Sequence, residues 1–197
     1  AAAADGTVFC TWIDLRNMRS ELFGAVSHDA GATWQADRLI YRAPEQGICP
    51  CCHPSATFGP DGSLVVMWRN SLAGARDMYL ARSTDRGASF TTAEKLGLGT
   101  WVLGICPMDG GAVGVGPNGR IDTVWMRAGT LYADRPGEKE TKLGPGVQAW
   151  LTVAAEGPYT VWLEKRAGKL LALTPESDAP SVLADRATDP VVASPPG

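Results

Sequence analysis

Residues 27–34 read SHDAGATW, and residues 83–90 read STDRGASF. Both fit the pattern Ser-x-Asp-x-Gly-x-Ser/Thr-aromatic, with Asp29 and Asp85 standing 56 positions apart (29 to 85). A spaced internal repeat marks one supersecondary unit copied along the chain, so the fold is read from the repeat first. Each octet follows an alternating apolar run, ELFGAV (21–26) or DMYLAR (77–82), the period of a strand. Within the octet the Asp carboxylate can accept bonds from neighbouring backbone N–H groups, and Gly31 and Gly87 tolerate positive φ. Ser27 and Ser83 add a local bond, and Trp34 and Phe90 can fold back over the hairpin. Every position has a local structural task, so the octets read as scaffold rather than chemistry.

More of the chain lines up around them. Asp5-Gly6, Asp61-Gly62 and Asn118-Gly119 are tight-turn pairs of two-residue hairpins. A tryptophan follows each glycine by six positions (Trp12, Trp68, Trp125), and Glu156-Gly157 with Trp162 makes a slightly shorter fourth copy. The Trp-bearing strands are TVFCTWI (7–13), LVVMW (64–68), IDTVWM (121–126) and YTVWL (159–163). Before each turn stands a strand richer in small residues: AAAA (1–4), SATFG (55–59), GAVGVG (111–116) and AWLTVAA (149–155). Each unit thus reads strand, tight turn, Trp strand, loop, strand, octet turn, strand. The third and fourth units replace the octet with ADRPGEKET (133–141) and ALTPESDAP (172–180). No stretch carries a capped 3.6-residue apolar period, so an all-β fold is expected.

A four-stranded antiparallel meander repeated in this way is a propeller blade, and the octet resembles the Asp-box, or bacterial neuraminidase repeat, of sialidase-like β-propellers. The expected architecture is one domain over 1–197, with blades near 1–47, 48–103, 104–146 and 147–188. DPVVASPPG (189–197) lines up with HPSATFGPDG and reads as the inner strand of a further or closing blade, and AAAADG reads as the tail of an equivalent strand. A closed four-bladed ring and a piece of a larger propeller both satisfy these ends. Duplication of the same strand favours the piece, and the resemblance implies six blades for the whole.

Composition bounds the function. A net charge of −3 excludes the basic footprint of a nucleic-acid binder, and no apolar run approaches the ~20 residues of a membrane span. The given N-terminus lacks the basic and apolar regions of a signal peptide, which an exported precursor loses on maturation.

Loops joining the outer strand of one blade to the inner strand of the next share a face with loops joining the second strand to the third, and the central pocket opens there. The octets turn on the opposite face. EQGICPCCHP (45–54) and LGICPMDGG (103–111) share Gly-Ile-Cys-Pro, making Cys49 and Cys106 equivalent in adjacent blades. A cluster of Cys49, Cys51, Cys52, His53, Cys106 and Met108 is expected. Three readings stay open: a disulfide from Cys49 or Cys51 to Cys106, as in an exported protein; a soft-metal site for copper or zinc; or inert thiols. With five cysteines one stays unpaired, and Cys10 is expected as a buried apolar thiol.

The second set of loops begins Asp14-Leu15-Arg16-Asn17, Arg69-Asn70, Arg127-Ala128-Gly129 and Glu164-Lys165-Arg166. Convergent arginines make a carboxylate or phosphate site, and the resemblance implies an arginine triad with a Tyr nucleophile and an Asp acid. Asp14, Arg16, Arg69 and Arg127 are therefore the candidate anion site. The Arg-Ile-Pro motif of the family is absent, and Tyr41, Tyr79, Tyr132 and Tyr159 read as strand residues. The expected function is a non-catalytic binding or scaffold module of a periplasmic or secreted protein, with a protein, a glycan or a small anion as partner. The alternatives are an exo-sialidase-type glycosidase and a copper or soft-metal binder.

Overall fold

The computed structural model describes residues 1–45 and 47–194. Gln46, in the first cysteine loop, and 195–197, in the final expected strand, lie outside the described residues. The described chain holds fifteen strands and no helix. They form four antiparallel sheets in sequence order. The first contains β1 (Val8–Asp14), β2 (Glu21–Ser27) and β3 (Arg38–Tyr41); the second β4 (Ser55–Phe58), β5 (Leu64–Arg69), β6 (Met78–Ser83) and β7 (Glu94–Lys95). The third contains β8 (Gly111–Val115), β9 (Ile121–Arg127), β10 (Thr130–Asp134) and β11 (Thr141–Pro145); the fourth β12 (Val147–Ala154), β13 (Gly157–Leu163), β14 (Leu170–Leu173) and β15 (Ser181–Ala184). Each sheet is an up-and-down meander, and β4 packs on β8 and β8 on β12, so inner strands follow one another around an arc.

Strand alternation explains the arc. A strand points successive side chains to opposite faces, and a blade between two others must be apolar on both. In β5, Leu64, Val66 and Trp68 pack toward the first sheet, among Phe9, Leu22 and Val26. Val65 and Met67 pack the other way, against Val113, Ile121 and Trp125. In β9 the split repeats, with Val124 and Met126 facing Ala149, Leu151 and Trp162. Trp68, Trp125 and Trp162 are all buried, each at the same place in its blade.

The twin octets fold as expected. Ser27 Oγ donates to Asp29 Oδ1 at 2.7 Å and accepts from Gly31 N–H at 2.9 Å. Asp29 then receives the Thr33 amide at 2.8 Å and the Thr33 hydroxyl at 2.6 Å. Ser83, Asp85, Gly87 and Ser89 repeat this at 2.7, 2.7, 2.8 and 2.5 Å. Gly31 and Gly87 have φ of 91° and 92°, the left-handed region where a side chain is strained. Phe90 packs on Phe9 with ring centroids 6.1 Å apart, whereas Trp34 lies half-exposed over the turn, touching the site of a Gly31 Cβ. The octets share a face with the tight turns: Ala30 N–H donates to Gly6 O at 3.0 Å, and Arg86 pairs with Asp5.

Three expectations need correction. AAAA does not form a full inner strand: Ala2 makes a single bridge to Val8, leaving the first sheet three-stranded. Residues 189–194 form no strand either, although the Ser194 amide donates to Thr152 Oγ1 at 3.1 Å and so follows the edge of β12. Among the described residues the fourth sheet does not pack on the first, so the arc is open. Cys10 is exposed rather than buried. Alternation in β1 turns Phe9 into the core and Cys10 onto the face that no other described sheet covers.

Hydrogen bonds from Thr33 and Ser27 hold Asp29, and those from Ser89 and Ser83 hold Asp85, at about 2, below the ordinary carboxylate value of 3.8. A depressed folded-state value stabilises above the unfolded value and is lost as pH falls through the folded one. Urea midpoints should therefore drop as pH falls from about 4 toward 2, and an Asp29→Asn, Asp85→Asn double variant should show a flatter acid limb. Separately, Leu64→Ala should cost about 3 kcal/mol in urea unfolding, since this side chain is fully buried between the first two sheets.

Candidate functional site

The two cysteine loops meet on the face opposite the octets. Ile48 bridges Asn70, and the Cys49 amide donates to Arg69 O at 2.9 Å, which anchors the first loop to the end of β5. Cys51 and Cys106 form a disulfide across 55 positions, with Cα atoms 6.6 Å apart. Of the two expected pairings, this is the one made. Cys49 and Cys52 are free and buried beneath it. Their sulfurs are 2.7 Å apart, and they lie 3.5 and 3.9 Å from Cys106 Sγ. All four sulfurs fall within 4.8 Å of one another. Cys49 and Cys52 share a thiol hydrogen bond, and that bond, aided by the Cys51 amide and the charges of Arg76 and Arg69, holds Cys49 well below the ordinary thiol range. The same bond, then burial, pushes Cys52 up.

Arg69 explains why the loops meet. Its side chain is buried, and the guanidinium donates only to backbone carbonyls: Asp109 O at 2.9 Å, Arg76 O at 2.5 Å, Gly110 O at 3.3 Å and Met126 O at 2.8 Å. Arg166, on the matching loop of the fourth sheet, reaches Pro107 O at 3.2 Å and Met108 O at 2.8 Å. Two arginines from flanking blades thus grip consecutive carbonyls of the segment that carries Cys106.

The other predicted residues are placed differently. Arg16 pairs with Asp14 at 2.7 Å and Asp37 at 2.5 Å and lies over the Phe23 ring. Arg127 pairs with both oxygens of Glu140, at 2.9 and 2.5 Å, and lies over Tyr132. Each guanidinium is therefore engaged with its own partners. All four tyrosines lie in strands, as expected.

His53 and Met108 leave the sulfur cluster for an adjoining cleft of about 170 Å³. His53 stacks on Trp150 with ring centroids 5.3 Å apart; the residue stays open to solvent, but desolvation of its ring against neighbouring groups shifts its pKa downward. The cleft is completed by Asp109, Gln148 and Asp189. Asp109 Oδ2 accepts the Gln148 amide at 2.8 Å, and Asp189 Oδ1 accepts the Gln148 side-chain amide at 2.6 Å. Burial raises the Asp109 pKa. Trp150 escaped sequence reading because AWLTVAA (149–155) reads as a small-residue strand, and Gln148 because it stands just before that stretch although β12 includes it. The usable signal is alternation: Ala149 and Leu151 are buried, so Trp150 must point to the other face.

No family model matches the sequence, and no curated protein matches it. Solved structures do. The Hadza microbial sialidase Hz136 superposes with a TM-score of 0.62 at 15% identity, over 95% of this chain and 46% of that one. The α-L-arabinanase of Penicillium chrysogenum, complexed with arabinobiose, gives 0.57 at 19%, over 92% and 55%. The intramolecular trans-sialidase of Ruminococcus gnavus gives 0.54 at 15%, over 83% and 39%. The chain spans about half, or less, of the length of these proteins. With four antiparallel meanders in an open arc and these neighbours, the fold is that of a sialidase-like β-propeller.

Proposed function

We propose that the chain is a non-catalytic, saccharide-binding propeller module of an exported protein. The observation that carries this reading is the engagement of the arginines. Arg16, Arg69 and Arg127 all have internal partners, which leaves none of them free for a ligand carboxylate. The cleft beside the disulfide instead offers a Trp150–His53 aromatic platform and the carboxylates of Asp109 and Asp189. Carboxylates repel an anion and accept hydrogen bonds from hydroxyls, while an aromatic face packs against the C–H face of a sugar ring. A neutral glycan therefore suits the cleft better than a sialic acid. The disulfide and the fold neighbours are compatible with an extracellular setting, and no helix of the described residues is long and apolar enough to cross a membrane.

Arabinobiose, the ligand of one fold neighbour, and a panel of neutral disaccharides serve as probes. Tryptophan fluorescence should titrate saturably with a member of the panel. The signal should vanish in Trp150→Ala and persist in Arg16→Ala and Arg127→Ala. Turnover of a fluorogenic sialoside that is lost on Arg127→Ala would overturn the reading. The arginines should also separate by stability. Arg69→Ala orphans four carbonyls and should cost more than about 3 kcal/mol in urea unfolding. Arg16→Ala, at an exposed ion pair, should leave the urea midpoint nearly unchanged.

A further inference from the structure

We infer that the four cysteines of the facing loops are a tetrathiolate zinc site when the Cys51–Cys106 bond is reduced, so that disulfide and metal are alternative occupants of one cage. Zinc with thiolates at about 2.3 Å in a tetrahedron requires sulfurs about 3.8 Å apart. Cys106 Sγ already stands 3.5 Å from Cys49 and 3.9 Å from Cys52, and every pair lies within 4.8 Å. Filling the cage needs the Cys49–Cys52 separation of 2.7 Å to widen by roughly an ångström and the disulfide to open. Cys51 sits on the exposed side of the cage, which gives a reductant and then the metal a route in, while Cys49 and Cys52 form its dry floor.

The surroundings supply the second observation. Four thiolates around zinc carry a net negative charge, and a buried negative group requires a nearby positive one. Arg69 is that group: it is fully buried, and all of its hydrogen bonds go to neutral carbonyls, so no carboxylate is bonded to it. The Met108 amide also donates to Cys106 Sγ at 3.3 Å, the kind of outer hydrogen bond that stabilises a coordinated thiolate. His53 and Met108 are not ligands of this site. His53 is stacked on Trp150, and Met108 is exposed on the cleft side.

Opening the cage needs a two-electron reductant, either a dithiol or, in the test below, a phosphine that takes oxygen from water and becomes its oxide. A dithiol provides two electrons and two protons and becomes a disulfide. The Cys51–Cys106 bond breaks into two thiols, and zinc then releases the four thiol protons to solvent. In either state the loops of the second and third blades remain tied.

The test uses the full chain, reduced with a phosphine under anaerobic conditions. After dialysis it should retain one zinc, and cobalt(II) in place of zinc should give the intense ligand-field bands of a tetrahedral all-thiolate site. Oxidised chain should retain none. Cys49→Ser and Cys52→Ser should abolish retention, and Cys10→Ser should not. Reduced wild-type chain that keeps no zinc, a cobalt spectrum without thiolate character, or zinc retained in full by both cluster variants would overturn the assignment. The cobalt spectrum is read on the wild-type chain, so the outcome does not depend on the variants folding.

Discussion

The central strands of this protein must be apolar on both faces, and the rest of the architecture follows from that requirement. In an ordinary two-layer sandwich one face of each sheet meets water, and the strands alternate between apolar and polar residues. Here β5 is buried at every position and β9 at nearly every one, because each has a blade on either side. Odd and even residues of one strand consequently belong to different cores. Leu64, Val66 and Trp68 share theirs with the first sheet, and Val65 and Met67 share theirs with the third. No sheet could keep this composition alone, so the blades stabilise one another in series, each contributing half of two interfaces.

That series brings the pocket-face loops into register. Once the second and third sheets are packed, Arg69 at the end of β5 lies against the chain entering β8. It has no carboxylate bonded to it and satisfies itself on carbonyls. Arg166 does the same from the far side. Arg69 and Arg166 thus act as braces between loops, whereas Arg16 and Arg127 pair with carboxylates of their own blades. The segment so braced presents Cys106 to the sulfurs of the neighbouring blade on one flank and Asp109 to the adjoining cleft on the other.

The period, the blade composition and the octet geometry were all legible in the sequence, because each depends on residues close together in the chain. The Ser-Asp-Gly-Thr/Ser bonds span four positions, and the Trp strands announce themselves by fixed distance from a turn. The meeting of the two cysteine loops was legible for the same reason, since the repeat maps one loop onto the other. Three features were not. The partners of the arginines depend on which carbonyls the packed blades present, a matter of geometry between units. Trp150 was masked by a strand whose other residues are small. Cys10 was read as buried because β1 resembles β5 in sequence, whereas only β5 has a described sheet against both of its faces.

The meander has a consequence for the order in which the molecule assembles. Within each sheet every strand pairs with its immediate predecessor, each octet closes within its own eight residues, and each sheet rests on the one before it. Contacts of this kind are short in sequence, and short-range contacts form before distant ones. A ribosome releasing the described residues in order would add these four sheets one after another. The link between Cys51 and Cys106 is the exception. It can close only after the third blade has begun to emerge, so it acts as a late lock on a joint that packing has already set.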